Sequence, residues 1–241
     1  MKRLFSIFSM VALMMPVYAA TFDSDTLKTS AGPVVMTFIG HGTLMFTFDN
    51  QVIDIDPVSR YANYTTLPKA DLILITHQHG DHLDKGAIDE IKKQGTTIFL
   101  TESCLNQVSG IVMKNGDVKT IGNIKIEAVP AYNLVHKRDN GQPYHPKGVG
   151  NGYVLTLGDK QIYVAGDTED IPEMANLQNI DVAFLPMNLP YTMSPKMVVH
   201  AVKMINPKII LYPYHFGDTD VSKLTSLMAG RSCEVRIRSL Q

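Results

Sequence analysis

The sequence predicts an α/β fold, because segments typical of strands alternate with segments typical of helices along the chain. Residues 71–75 form a short apolar run rich in β-branched side chains, which is typical of a buried strand. Ser194 and Pro195 supply a capping hydroxyl and a proline at the first helical position, which indicates a helix start. Motifs with histidine or aspartate follow several strand-like segments, where open α/β folds bind ligands.

The first half of the chain predicts a hairpin meander, followed by helices that alternate with strands. Asp84 can cap a helix that continues to Gln94, where Gly95 is the C-terminal stop. Ile88 and Ile91 lie three residues apart and therefore share one face of this helix. The predicted strands are residues 34–39, 43–48, 51–55, 71–75, 97–101, 111–113, 118–121 and 124–129.

The second half repeats the alternation after a long segment without periodicity, residues 130–151. Loops of this length inside compact domains are often functional. The helix that begins at Pro195 continues to Ile205 and ends before Pro207. The other predicted helices are residues 102–109, 171–177 and 221–228, and the other predicted strands are residues 152–157, 161–165, 182–185, 209–212 and 233–238.

The composition suits one sizeable domain, or two fused halves, within 241 residues. Apolar residues make up 45% of the chain, which is enough for a substantial core. The formal net charge is −1 and no basic stripe is present, which argues against a nucleic-acid partner. The sequence leaves the oligomeric state open.

The N-terminus is typical of a secretory signal peptide. Lys2 and Arg3 precede an apolar run over residues 4–17, and Ala19 and Ala20 follow it. We expect cleavage after residue 19, which leaves a mature domain of residues 20–241 in the periplasm or outside the cell. The alternative is an uncleaved anchor, but the run is shorter than the ~20 residues that span a membrane, so we expect no stable membrane anchor after cleavage.

Two cysteines, Cys104 and Cys233, remain in the predicted mature chain. In an oxidising compartment an even number of cysteines permits one disulfide. The alternative is two separate buried thiols, since sequence does not supply the Cα distance that a disulfide requires. Both interpretations stay open.

A dense group of possible metal ligands follows the strand predicted at residues 71–75. Alternate residues of an extended segment point the same way, so His77 and His79 can approach one ion together. Gly80 permits a tight turn that can carry Asp81 and His82 to a second position nearby. This spacing favours two adjacent metal sites. The alternative is a histidine-rich loop that only caps the strand.

Further candidate ligands follow other strand-like segments. His145 lies in the long loop, Asp167 follows the strand at residues 161–165, and His215 follows the strand at residues 209–212. His41 lies between the first two strands. Each alone has an ordinary structural explanation, such as a turn or a core histidine, and we assign mid-helix His200 to that class. Together they are what a bridged two-metal site needs.

This order of motifs resembles the metallo-β-lactamase superfamily over nearly the whole mature chain. The resemblance implies a four-layer αββα sandwich with metal ions at the edge between two sheets. It also implies a first metal held by His77, His79 and His145, a second held by Asp81, His82 and His215, and a bridge formed by Asp167. Residues 38–42, residues 53–57 and the segment around Asn133 resemble the branch of L-ascorbate-6-phosphate lactonase-like hydrolases.

The ligands predict a metal-dependent hydrolase that acts on a small ester, lactone or phosphodiester substrate. Two divalent ions about 3.5–4 Å apart can share one water and lower its pKa towards neutrality. Asp81 can orient that nucleophile, and His41 can contact substrate, support a ligand or have a structural role. Ligation by histidine and aspartate without cysteine suits zinc, although manganese or iron would fit. The alternatives are a secreted β-lactamase-type amide hydrolase and a non-catalytic metal-binding protein.

The long loop offers two candidates for the third ligand of the first metal, His136 and His145. Lys137 and Arg138 flank His136, and adjacent cations disfavour a site that already holds divalent ions. We therefore expect His136 to face solvent. Pro146 stiffens the backbone beside His145, and a rigid ligand loses less entropy on binding, so we expect His145 to be the ligand.

Overall fold

The computed structural model describes residues 22–231 and 233–240. The predicted signal peptide and its cleavage point after Ala19 lie outside the described residues. Within the described part of the chain, no helix has the length and apolar character needed to cross a membrane.

Short strands and a few short helices make up the described chain. The strands are β1 Ser24–Thr29, β2 Gly32–Gly40, β3 Thr43–Phe48, β4 Gln51–Ile55, β5 Ala70–Leu74, β6 Lys92–Leu100, β7 Ile111–Val112, β8 Val118–Ile121, β9 Ile124–Ala131, β10 Gly150–Leu157, β11 Lys160–Val164, β12 Val182–Pro186, β13 Ile210–Tyr214 and β14 Glu234–Val235. The helices are α1 Lys85–Ile91, α2 Pro195–Ile205 and α3 Ser222–Leu227, and 3-10 turns cover Tyr64–Thr66, Glu102–Cys104 and Pro172–Asn176.

The strands form two seven-stranded mixed sheets. The first contains β1 to β7 in chain order, and the second has the order β14-β13-β12-β11-β10-β9-β8. Each sheet begins as an antiparallel meander and continues with parallel strands, namely β4 to β7 in the first sheet and β11 to β14 in the second. Parallel strands of one sheet place their carboxyl ends at one edge, and this edge carries the candidate site.

Alternation along the strands divides the core into layers. In β5, Leu72 and Leu74 pack between the two sheets, whereas Ile73 faces outward and packs with α1. In β12, Phe184 lies between the sheets and Leu185 packs with α2. The molecule is therefore a four-layer sandwich, with α1 outside the first sheet and α2 and α3 outside the second. This confirms the predicted αββα architecture.

Several element boundaries differ from the sequence-based prediction. Helix α1 begins after Asp84, whose carboxylate accepts hydrogen bonds from the backbone of the first turn, but it ends at Ile91 rather than at Gln94. Strand β6 begins directly after it, because parallel pairing with β5 extends as far back as Lys92. Gly95 lies inside that strand, where the register shifts, with φ +91°. The predicted helices at residues 102–109 and 171–177 are shorter 3-10 turns.

The two cysteines are free and buried in different layers. Cys104 packs in the core between the first sheet and α1, and Cys233 packs in the core between the second sheet and α2. The structure thus shows two separate buried thiols, which was one of the two interpretations that the sequence left open.

Candidate metal centre

All predicted site residues converge at the sheet edge where the parallel strands end. They lie on loops that follow strands because the carboxyl ends of β5, β11 and β13 meet there. The loop after β5 carries His77, His79, Asp81 and His82, the loop between β9 and β10 carries His145, and the turns after β11, β13 and β2 carry Asp167, His215 and His41.

One group of possible donor atoms belongs to His77, His79 and His145. One ring nitrogen from each of these residues lies within 4.8 Å of the others. His77 Nε2 is 3.0 Å from His79 Nδ1, and His145 Nε2 is 3.1 Å from Asp167 Oδ2. Three imidazole nitrogens are therefore close enough to share one metal ion, and Asp167 Oδ2 lies beside two of these rings, 3.1 Å from His145 and 3.9 Å from His77.

A second group lies on the other side of Asp167. Asp167 Oδ1 is 2.7 Å from His215 Nδ1 and 3.4 Å from His82 Nε2. Asp81 Oδ2 is 3.9 Å from His82 Nε2 and 3.7 Å from His215 Nε2. The two oxygens of Asp167 thus face different groups of imidazoles, which is the position that a carboxylate shared by two ions would occupy.

The unpartnered atoms of this cluster fit a bound cation. Among the residues that the structure describes, His82 Nε2, Asp167 Oδ1 and His215 Nδ1 are buried and have no partner in hydrogen-bonding geometry, although Asp167 Oδ1 and His215 Nδ1 lie only 2.7 Å apart. A buried polar atom left unpaired costs about 1–3 kcal/mol, so a bound cation that satisfies these three atoms would offset that cost. Imidazole and carboxylate donors without thiolate suit a borderline or hard divalent metal ion.

Burial and neighbouring charges set the protonation of the cluster. Burial lowers the pKa of His77 and His79, which keeps these imidazoles neutral, as metal ligands must be. Burial alone would raise the pKa of Asp167, but the surrounding imidazoles outweigh it and hold that pKa well below its ordinary value. Burial also opposes the charged form of His82, yet Asp167 and Asp56 raise its pKa to about 10, so a metal ion there would displace a proton.

Two further side chains fix the orientation of the imidazoles. Asp56 Oδ2 is 2.7 Å from His82 Nδ1, and Asp56 also accepts hydrogen bonds from the backbone and hydroxyl of Thr76. Asn133 Oδ1 is 2.6 Å from His145 Nδ1. Such partners set the tautomer and the ring orientation of metal-binding histidines. Both residues belong to segments of the family resemblance, but sequence reasoning gave neither this role.

Glu169 is a functional candidate that sequence reasoning missed. Its buried carboxylate accepts hydrogen bonds from the backbone N–H groups of residues 134–136, at 2.6 to 2.7 Å, and from Asn133 Nδ2 at 3.0 Å. Glu169 therefore anchors the loop segment that positions Asn133 against His145. Its place two residues after Asp167 is the one sequence signal that could have indicated it.

Two glycines leave room for the cluster. A Cβ on Gly42 would lie 2.7 Å from the ring of His82, so this ring packs directly against the backbone of the β2–β3 turn. Gly166 has φ +65°, and a Cβ there would lie 2.6 Å from Asn151 O. Glycine is therefore required beside His82 and immediately before Asp167.

His41 lies at the outer side of the second group. Its Nε2 is 3.3 Å from Asp81 Oδ2, its ring centroid is 3.8 Å from that of His215, and its ring stacks on that of Tyr61. Burial lowers its pKa. His41, Asp81 and His215 also offer donor atoms within 4.8 Å of one another.

The remaining histidines lie elsewhere. His200 contacts Asp170 at 2.7 Å on the surface of α2, as its assignment to a structural class predicted. His136 contacts Glu169 at 2.7 Å and belongs to neither group of ligands. The expectation that His136 faces solvent is only partly right, because its side chain is 25% exposed and its ring is held by that buried carboxylate.

An open cavity of about 500 Å³ lies over the second group. Its wall includes side chains from the loop between β9 and β10 and from the segment after β12. The lining residues are His41, His79, Gly80, Asp81, Arg138, Tyr144, His145, Asp167, Asn188, Tyr191 and His215. A small molecule that enters this cavity would meet the candidate ligands directly.

Comparison with known proteins agrees with this geometry. The family described as the beta-lactamase superfamily domain matches residues 35–215. A UPF0173 metal-dependent hydrolase of Nanoarchaeum equitans is 32% identical over 195 residues, which cover 77% of this chain and 85% of that protein. A second UPF0173 metal-dependent hydrolase, from Desulforamulus reducens, is 34% identical over 200 residues, covering 76% and 84%.

A similar solved structure supports the same assignment. A Parabacteroides distasonis protein named as a metal-dependent hydrolase superimposes with a TM-score of 0.87 and 52% identity, covering 91% of this chain and all of that one. The metallo hydrolase Igni18 of Ignicoccus hospitalis, at 24% identity and a TM-score of 0.66, shares the fold. The chain therefore belongs to the beta-lactamase superfamily, within its family of UPF0173 metal-dependent hydrolases.

Proposed function

We propose that this chain hydrolyses a small ester, lactone or phosphodiester with water activated by two divalent metal ions. The observation that carries the proposal is the position of Asp167 between two groups of imidazoles. One ion would occupy the first group of donors and a second ion the other, with Asp167 shared. Zinc suits these donors, and manganese and iron also fit.

When bound, the two ions would lower the pKa of a water molecule towards neutrality and polarise the bond to be cleaved. His77, His79 and His145 would hold one ion, Asp81, His82 and His215 would hold the other, and Asp167 would contact both. Asp56 and Asn133 would keep the imidazoles of His82 and His145 in the orientation that binding requires.

Asp81 has the second role of orienting the nucleophile. Its side chain is 39% exposed, whereas that of Asp167 is 3% exposed, so Asp81 presents a carboxylate oxygen to the cavity. Burial would raise the pKa of Asp81, but the neighbouring imidazoles of His215 and His41 outweigh it and hold the pKa far below its ordinary value. Asp81 thus stays ionised and can accept a hydrogen bond from the attacking water. His41 would steady Asp81 and contact the substrate beside it.

The expected setting is the periplasm or the exterior of the cell, because the N-terminus is typical of a signal peptide. The cavity has the volume of a small-molecule site rather than of a groove for a polymer. A small, soluble substrate that reaches this compartment is therefore the class that we propose.

Metal analysis combined with a substrate panel tests the proposal. The mature protein is loaded with zinc or manganese and assayed on simple esters, lactones, phosphodiesters and cephalosporins, with elemental analysis of each preparation. We expect two ions per chain, and a loss of hydrolysis of about 100-fold or more in His79→Ala. His200→Ala is the control, because His200 lies outside both groups.

Three other outcomes would contradict the proposal, each in a different way. One tightly bound ion with full activity contradicts the two-metal arrangement. Cleavage confined to cephalosporins indicates the amide hydrolase instead. Two bound ions without turnover of any class in the panel support a non-catalytic metal-binding protein on the same fold.

A further inference from the structure

A permanently charged arginine lies in the wall of the cavity over the candidate metal centre. No step of the proposed hydrolysis uses this positive charge. Arg138 lines the cavity together with Tyr144, Asn188 and Tyr191. Among the residues that the structure describes, no carboxylate lies within 4.0 Å of its guanidinium. The neighbouring cation on the same loop, Lys137, is exposed and does not line the cavity.

The local structure holds Arg138 in this position. Arg138 N donates a hydrogen bond to Gln142 O at 2.8 Å, and Gly141 N donates to Arg138 O at 2.8 Å, so the chain forms a tight turn there. The guanidinium lies 5.0 Å from the centre of the Tyr144 ring, a distance at which a cation and an aromatic face attract each other. Tyr144 in turn packs edge-on against Tyr191 at 5.1 Å.

This arrangement leaves the guanidinium available to a ligand. The cation–π contact with Tyr144 uses none of the N–H donors of the guanidinium. One of these donors contacts Tyr144 O at 3.5 Å, which is a weak contact. A planar fork of N–H donors matches the oxygens of a carboxylate or a phosphate and binds them in pairs.

We propose that Arg138 binds an anionic group of the substrate, a carboxylate or a phosphate, at a point remote from the bond that is cleaved. This inference rests on the proposed function, since the reacting end of the substrate lies at the metal ions. The carboxylates Asp81, Asp167 and Asp56 together with an activated hydroxide would balance the charge of two divalent ions, so Arg138 would give the loaded cavity its net positive charge. The substrates are therefore small anions with a hydrolysable bond.

Matched carboxylates test this subsite without any turnover. A dicarboxylate can place one group at the metal ions and the other at Arg138, whereas a monocarboxylate of equal length can do only the first. The zinc-loaded protein is titrated calorimetrically with dicarboxylates of three to six carbons and with the corresponding monocarboxylates. We expect at least one dicarboxylate to bind about ten-fold or more tightly than its partner, as a charge-assisted hydrogen bond predicts.

Two variants assign this difference to one residue. In Arg138→Gln the preference for the dicarboxylate should fall below about two-fold, while monocarboxylate binding stays unchanged. In Lys137→Gln, which removes a charge from the same loop outside the cavity, the preference should persist. Thermal unfolding of both variants verifies that the fold is kept, which we expect because both side chains are exposed.

The result that overturns the inference is distinct from failure of the proposed function. If the zinc-loaded wild type binds mono- and dicarboxylates equally, or if Arg138→Gln keeps the preference, the subsite does not exist although the hydrolase proposal stands. If Lys137→Gln loses the preference for the dicarboxylate to the same extent, that preference comes from general charge attraction and not from a specific contact with Arg138. If the protein retains neither zinc, manganese nor iron by elemental analysis, the proposed function and this subsite are both contradicted.

Discussion

At the scale of single residues, Asp167 connects the two groups of imidazoles. Its Oδ2 is 3.1 Å from His145 Nε2, and its Oδ1 is 2.7 Å from His215 Nδ1. We predict that Asp167→Asn weakens both metal sites together, because an amide has one oxygen to offer in place of two and carries no charge. Metal retained after dialysis against a chelator series, measured by elemental analysis, should fall by at least about ten-fold for both ions.

The matched control is Asp170→Asn, which removes a carboxylate nearby in the chain that contacts His200 outside the site. Its metal content should equal that of the wild type. Loss of a single ion from Asp167→Asn, with hydrolysis intact, would mean that Asp167 serves only one site.

A second prediction compares the two histidines of the long loop. His145 Nε2 points to Asp167, whereas His136 Nδ1 contacts Glu169. We expect His145→Ala to lower metal content and activity by about 100-fold or more, and His136→Ala to leave metal content nearly unchanged. Elemental analysis of both variants decides between them. The reverse result would exchange the roles of these residues and leave the rest of the site in place.

The sequence predicted the positions of the candidate ligands better than the contacts that support them. Adjacent ligands such as His77 and His79 follow one strand, so their spacing carries the information. The partners of the imidazoles come from other strands: Asp56 follows β4, and Asn133 follows β9. Which distant carboxylate or amide meets a given ring depends on tertiary packing, and no local spacing encodes it.

At the scale of elements, the loop between β9 and β10 depends on a single carboxylate. Glu169 accepts three backbone hydrogen bonds from residues 134–136 and one from Asn133, and Asn133 contacts His145. We predict that Glu169→Gln weakens the first metal site by about 10- to 100-fold, since the amide N–H₂ would face N–H donors. Chelator competition measures this loss, with the thermal midpoint recorded in parallel.

Glu173→Gln is the matched control for that variant. Glu173 contacts Lys147 and the hydroxyl of Tyr132, at the outer side of the same loop. Its metal affinity should remain within about two-fold of the wild type. Equal losses in both variants would indicate general loosening of the loop instead of a specific path from Glu169 to His145.

Helix α2 was predicted accurately from its end signals, and elements set by strand pairing were not. Helix α2 has the predicted limits, because Ser194 caps it and Asn206 ends it in a left-handed conformation. Strand β1 was not predicted, since five of its six residues are polar and it lies at a sheet edge. Its pairing with β2 places it there, and pairing is not visible in its own periodicity.

At the scale of the whole molecule, the alternation of strands and helices predicted the α/β class, while the four-layer arrangement came from the family resemblance. Short apolar strands buried on both faces look alike in sequence. Periodicity therefore does not assign them to one sheet or to another. The split into β1–β7 and β8–β14 follows from tertiary contacts between the layers.

Export is a prediction that concerns the whole chain. The charged, apolar and small-residue segments at the N-terminus predict cleavage between Ala19 and Ala20. Intact mass of the protein from the exported fraction measures it directly, and we expect a chain that begins at Ala20. A species that begins at Met1 in that fraction would contradict the prediction.

The pH dependence of global stability provides the last prediction, through a buried acid outside the metal site. Asp54 is fully buried in β4, and neither of its oxygens has a hydrogen-bond partner among the described residues. It lies on the outward face of the first sheet, in register with Met45 and Ile73. Burial raises the pKa of this carboxyl well above its ordinary value, because the charged form loses its hydration there.

The sign follows from linkage between proton binding and folding. A group whose pKa is raised in the folded state contributes its full stability below the unfolded pKa, and this contribution is lost as pH rises towards the folded pKa. Relative to Asp54→Asn, which does not titrate, the free energy of unfolding of the wild type should therefore fall from about pH 4 upward, by at most about 1.4 kcal/mol per pH unit.

Urea unfolding of the metal-free proteins between pH 4 and pH 8 measures this difference. If the difference between the wild type and Asp54→Asn is flat over this range, the Asp54 carboxyl must gain a partner, such as an ordered water, that keeps its charged form stable in the core.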